Sequence, residues 1–169
     1  MKFYKQGFHN KRGAYNMFLK LEEIYSKFNE ENIQVVIPKK LLFTLLQQVD
    51  RHREMVSYEE EVVNNFAIRD YISNTEMLMV KLLILMAEPY GKKEIILDIN
   101  IAEFLVLRDL VFCNYSLPHL KAKMRPHIRN AYKEFHDEIE DIFGMLEQDE
   151  VKAYWDYIKN YKNKDNIIH

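Results

Sequence analysis

The chain has 169 residues, with 24 Lys and Arg against 26 Asp and Glu; its formal net charge of −2 gives it no global attraction for nucleic acid or anionic membrane. One cysteine excludes an intramolecular disulfide and argues for a reducing, cytoplasmic setting, and four glycines and four prolines disfavour a turn-rich sheet fold. A chain of this size buries roughly 70% of its unfolded surface, so one core suffices without disulfide or metal.

Residues 1–13 read as a basic and aromatic arm. Lys2, Lys5, Lys11 and Arg12 interleave with Phe3, Tyr4 and Phe8, without the apolar centre of a signal peptide. Residues 14–162 read as a single all-α domain, a bundle of about six or seven helices, and 163–169 as a polar tail. In the first helix, residues 14–30, Phe18, Leu21, Tyr25 and Phe28 recur at steps of three and four. A β-branched run, 33–37, leads to Pro38 and a helix with Leu41, Leu42, Leu45, Leu46 and Val49 on one face. His52 continues that stripe as an edge-of-core histidine. The stretch from Ser57 to Glu60 has the form of a capping box, either opening a helix or riding on a continuous one. The same form from Ser73 to Glu76 places a helix break near Ser73. The apolar run 77–87 that follows reads as a buried helix; broken by Lys81, it is far short of the ~20 residues a membrane span needs.

Pro89, Tyr90 and Gly91 form a turn. A second β-branched run, 95–99, precedes Asn100 and Glu103, which suit an N-cap and its N3 partner. The two runs either pair as a minor two-stranded ribbon or serve as extended linkers that plug the core. Cys113, in an apolar run, reads as a buried structural thiol. Pro118 and Pro126 bracket a short helix, and a last helix at about 149–161 buries Val151, Tyr154, Trp155 and Ile158.

The segment 119–150 is split lengthwise by charge. Lys121, Lys123, Arg125, Arg129 and Lys133 come first, followed by a long acidic run from Glu134 to Glu150. Beneath both lies an apolar seam of Ile128, Tyr132, Phe135, Ile139, Ile142 and Leu146, read as the packing face of one polarised helix. Counter-charges for the acidic end have two sources. Lys152, Lys159, Lys162 and Lys164 fold back over it after a tight turn at 144–148, or a second copy pairs antiparallel, seam to seam.

Arg129 and His136 lie seven residues apart on one side of this helix, with Asn130 directly after the arginine. The spacing resembles the Arg-x(4–6)-His signature of HEPN-type ribonucleases, small helical bundles that act as dimers. The resemblance covers eight residues and the helical class. It implies that Arg129 stabilises a phosphorane while His136 transfers a proton.

No phosphate-cradling glycine loop, nucleophile elbow or Cys/His zinc spacing occurs, and no cofactor or metal is expected. His136 and Glu140 make one ligand pair without a second. The basic residues with neighbouring Tyr132 suit a single-stranded nucleic acid, with a salt slope of about −3.5 if all five bind phosphates. The 11 Tyr and 10 Phe exceed what a core of this size requires, and surplus aromatics favour interfaces. The reading preferred from the residues is a non-enzymatic interaction protein that binds a protein partner through Lys121, Lys123, Arg125, Arg129 and Lys133 and self-associates. A HEPN-like ribonuclease using Arg129 and His136 is the alternative, and a non-catalytic RNA or single-stranded DNA binder the third.

Overall fold

In the computed structural model, residues 23–24, 26–62, 66–88, 91–116 and 118–164 are described, the side chains of 57–62, 66–69, 119–121 and 157–164 excepted. The arm at 1–13, residues 14–22 of the first helix and 165–169 of the tail lie outside the described residues.

A helical stretch at 26–30 leads into strand β1, Asn32–Pro38, which pairs antiparallel with β2, Glu94–Asn100. The ribbon reading therefore holds, and the register explains it. Val35 faces Leu97 and Ile37 faces Ile95, so the buried residues of both strands fall on one face. Glu94 and Asp98 on β2 point to solvent, the alternation expected of a half-buried strand.

A single 3₁₀ turn, Lys39–Leu41, opens helix α1, Leu42–Val62, and helix α2 spans Phe66–Met86. Ser57 rides on the continuous α1 rather than opening a helix. The break expected near Ser73 does not exist: α2 runs through it, and the division lies between Val62 and Phe66. The polar side chains explain the difference. Thr75 Oγ1 donates to the Tyr71 carbonyl at 2.8 Å and Asn74 Nδ2 to Asp70 at 3.3 Å, so they bond back one turn instead of capping a new start. After α2, Gly91 adopts φ +140°, a conformation that side-chain-bearing residues rarely take. Pro89 and Tyr90 lie outside the described residues.

Helix α3, Ile101–Ser116, is the centre of the bundle. Every residue from Ile101 to Leu107 is buried, as expected of a helix that is apolar on all sides. It packs against α1, α2 and both strands, against the short α4, Pro118–Lys123, and against α5, Pro126–Met145. Its start follows the expected capping box: Glu103 N–H donates to Asn100 Oδ1 at 2.7 Å and Asn100 N–H to Glu103 Oε2 at 3.1 Å. The Ile101 amide donates to the Glu31 carbonyl, tying the 26–30 stretch to this helix. The last helix, α6, Gln148–Lys164, follows α5 after two residues and packs against α2. Gln148 Nε2 closes that turn on the Phe143 and Leu146 carbonyls, and Phe28 stacks on Tyr154 of α6 at 4.8 Å.

Two expectations about burial are corrected. Cys113 is exposed, because Leu110 and Val111 carry the core face of α3 and the next two positions rotate outward. The run 77–87 is only half buried: Leu78 and Leu82 are in the core, while Met77, Val80, Leu83 and Ile84 face solvent.

Candidate functional site

The charge-polarised segment is three elements, not one helix. Lys121 and Lys123 lie on α4, Arg125 precedes α5, and Arg129 and Lys133 lie within α5. Pro126 causes the break, since its ring forces the preceding residue out of helical conformation. Arg125 accordingly sits at φ −61°, ψ 146°. At the other end, Glu147 lies in the connecting turn, and Asp149 and Glu150 in the first turn of α6. The apolar seam of α5 is occupied within the chain. Tyr132, Phe135 and Ile139 are buried, and the helix packs on α3 and β1. A second copy therefore cannot pair seam to seam.

Part of the acidic end is covered within the chain, by residues that sequence reasoning did not single out. Arg108 of α3 forms a bidentate pair with Glu140, Nε to Oε1 at 3.0 Å and Nη2 to Oε2 at 3.3 Å. Its guanidinium lies over the rings of Phe112 and Phe143, at 4.9 and 4.3 Å, which holds the fork in place. Lys27 donates to Glu150 at 2.7 Å and lies 4.0 Å from Glu147. That hydrogen bond holds the Lys27 ammonium above its ordinary pKa. Of the four lysines expected to cover this end, Lys152 is exposed and has no partner among the described residues, and the side chains of Lys159, Lys162 and Lys164 lie outside the described residues. Among the described residues Glu134, Glu138, Asp141 and Asp149 have no basic partner, and the carboxyl of Glu138 is pushed up by burial and by repulsion from Glu94 and Asp141.

The basic end has no such cover. Lys123, Arg125 and Lys133 are exposed, and among the described residues none has an ion-pair partner. Arg129 behaves differently. Its Nη2 donates to the Met124 carbonyl at 3.1 Å, with a longer approach of 3.5 Å to that of Ala122, closing the frayed end of α4. Its Nε is buried without a partner among the described residues.

His136 does not present a free ring. It stacks on Tyr115 at 4.2 Å, with Phe112 beyond at 6.5 Å. Its Nδ1 lies 3.2 Å from Asp137 Oδ1, and its Nε2 is buried with no hydrogen-bond partner among the described residues. Glu140, its expected ligand companion, is taken by Arg108. Among the described residues no three His, Cys, Asp or Glu side chains gather as a metal site, and no helix is long and apolar enough to cross a membrane.

No protein-family model matches the chain, and no curated protein or solved structure matches it. Its chemistry has to be read from its own side chains.

A second polar cluster, away from the charged segment in sequence, links α1, α2 and α3. His52 Nε2 lies 2.9 Å from the Tyr71 hydroxyl, which also bonds to Asp109. Burial pushes the Asp109 carboxyl up to about 6 against the opposing pull of Arg108. Burial, then Asp109, raises Tyr71 well above the usual phenol range. The Cys113 thiol, raised for the same reasons, is not an activated nucleophile. A cavity of about 200 Å³ near Lys27, Phe28 and Leu146 sits at the covered part of the acidic end and holds no unpaired cation.

Proposed function

We propose that the protein is a non-enzymatic interaction protein that binds an acidic surface of a partner protein through its basic end. The observation that carries this reading is the asymmetry of charge cover. Glu140 and Glu150 of the acidic end meet Arg108 and Lys27 of the same chain, whereas Lys123, Arg125 and Lys133 are exposed and, among the described residues, unmatched. Exposed charges of one sign steer association and set partner orientation. Lys121, on the adjacent α4, extends the positive face in sequence, and Arg129 anchors it by fixing α4 against the start of α5.

A protein partner is favoured over a nucleic acid because Glu134 and Asp137 are exposed immediately beyond Lys133 and would repel a phosphate backbone running along the helix. The ribonuclease reading is not favoured. A nuclease needs arginine and histidine nitrogens free to meet one phosphate, whereas His136 Nε2 is buried and Arg129 Nη2 is committed to carbonyls.

Fluorescence anisotropy tests the proposal with two labelled ligands, a glutamate-rich peptide and oligouridine. Tighter binding of the peptide is expected, weakened at least about tenfold by Lys123→Glu with Lys133→Glu. Preferential binding of oligouridine would move the assignment to the nucleic-acid reading. Peptide binding unaffected by the reversals would dismiss the basic end.

A further inference from the structure

The ribbon has an edge whose backbone groups are left without partners. The Glu31 carbonyl accepts the Ile101 amide at 3.1 Å, and the Lys39 amide donates to the Lys93 carbonyl at 2.9 Å. Both bonds continue the register by one position at either end, so the odd-numbered residues of β1 are those bonded to β2. The backbone N–H and C=O groups of Asn32, Gln34 and Val36 therefore point to the opposite edge. Among the described residues none of these groups has a partner, and α5, which packs on β1, donates nothing to them. Asn32 and Gln34 are exposed and Val36 is half-buried. Edge strands that stay single are usually guarded by charge. β2 is guarded in this way, through exposed Glu94 and Asp98. The seven residues of β1 carry no charge at all, and Val35, Val36 and Ile37 lie in succession.

We propose that β1 pairs antiparallel with β1 of a second copy, joining two ribbons into one continuous sheet. The residues flanking the strand select this occupant and its direction. Exposed Glu30 and Glu31 precede β1, and Lys39 and exposed Lys40 follow it. With the two-fold axis at Val35, each copy's Glu31 stands opposite the other's Lys39, and Glu30 opposite Lys40. A parallel pair would set like charges together. In the same register Gln34 of one copy and Val36 of the other exchange both backbone bonds, using the groups that β2 leaves over. Pro38, which has no N–H to give, falls at the margin and still accepts from Asn32. Pairing β2 with itself would instead bring Glu94 and Asp98 of the two copies together. The proposal does not rest on the basic end of α4 and α5.

Sedimentation equilibrium and amide hydrogen exchange of the full chain test this together. A reversible dimer is expected at about 100 μM. In it the Gln34 and Val36 amides exchange at least about tenfold more slowly than in the dilute monomer. Val36→Pro removes an outward N–H and no bond to β2, so it weakens the dimer at least about tenfold while the helical circular-dichroism signal stays. Gln34→Pro does the same from an exposed position, and the exchange readout holds even if a proline variant fails to fold. Lys40→Glu alone weakens association about fivefold, and Glu30→Lys with Lys40→Glu restores it. A chain that stays monomeric at that concentration overturns the proposal. So does a dimer in which both amides exchange at the monomer's rate. Protection of these amides in a monomer, gained only on adding an extended valine- and isoleucine-rich peptide, assigns the edge to a partner's strand instead. Failure of the double reversal to restore association overturns the antiparallel pairing.

Discussion

Lys81 Nζ lies 2.6 Å from Glu103 Oε2, and the same oxygen accepts the Asn100 amide at 3.1 Å. One carboxylate thus closes the N-terminus of the central helix and docks α2 onto it. Its side chain is 3% exposed and that of Lys81 30%, so the cation keeps partial contact with water while the anion does not. Removing the buried partner and removing the wetter one therefore have unequal costs. Glu103→Ala is expected to lower stability by about 3 kcal/mol, through loss of a cap and a charged hydrogen bond. Glu103→Gln, which keeps an acceptor for Asn100, is expected to lose about half as much. Urea unfolding measures both; equal losses would show that the retained cap contributes nothing, and an unchanged Glu103→Gln that the charge does nothing beyond the cap.

Asp109 gives stability a defined pH dependence. Its carboxyl titrates at about 6 in the folded protein against 3.8 when unperturbed, because burial favours the neutral acid. Between those values the folded state binds the extra proton, so stability falls as pH rises through the window and levels off above it. The full displacement corresponds to about 3 kcal/mol, and with a third of the side chain exposed about 1–2 is expected. Asp109→Asn, which still accepts from Tyr71, removes this slope. The variant should match the parent near pH 3.5 and exceed it near pH 8. Parallel curves for the two proteins across that range would contradict the assignment.

Tyr132 donates its hydroxyl to Gln48 Oε1 at 2.8 Å, deep between α5 and α1. Tyr132→Phe leaves the buried Gln48 acceptor unpaired and is expected to cost about 1–2 kcal/mol. Adding Gln48→Leu removes the orphan, so the double variant should be less destabilised than the sum of the single changes. A double-mutant cycle that sums to zero would show that the pair does not interact.

Much of this architecture was legible in the chain. The ribbon was one of two readings of the β-branched runs at 33–37 and 95–99, while the Asn100–Glu103 box showed itself through its spacing and the α4–α5 break through Pro126. The break near Ser73 misled because hydroxyl and amide side chains serve equally as caps and as bonds back to the previous turn. The exposed stripe on α2 was hidden inside an apolar run broken only by Lys81, which carries little phase to show which side is wet. The cover over the acidic end was invisible for a different reason. Lys27 is 123 residues from Glu150, and Arg108 is 32 from Glu140, so no local pattern joins them. Cover of the acidic end was expected, but from Lys152, Lys159, Lys162 and Lys164 of the last helix rather than from these two residues.

Arg129 is expected to act as a clamp rather than a catalyst. Arg129→Ala should speed amide hydrogen exchange in α4 and cost about 1 kcal/mol through the lost carbonyl bonds. Purified protein should leave oligouridine intact, as should Arg129→Ala and His136→Ala. Cleavage by the parent that disappears in both variants would establish the ribonuclease reading instead.

The most direct measurement is a ¹H–¹⁵N titration of the full chain with a glutamate-rich peptide, followed residue by residue. Binding through the unmatched basic end predicts shifts concentrated on 122–133, fading as salt rises from about 50 to 300 mM. Shifts centred instead on the Met77–Ile84 stripe or on the His52–Tyr71–Asp109 cluster, or none at all, would contradict the account.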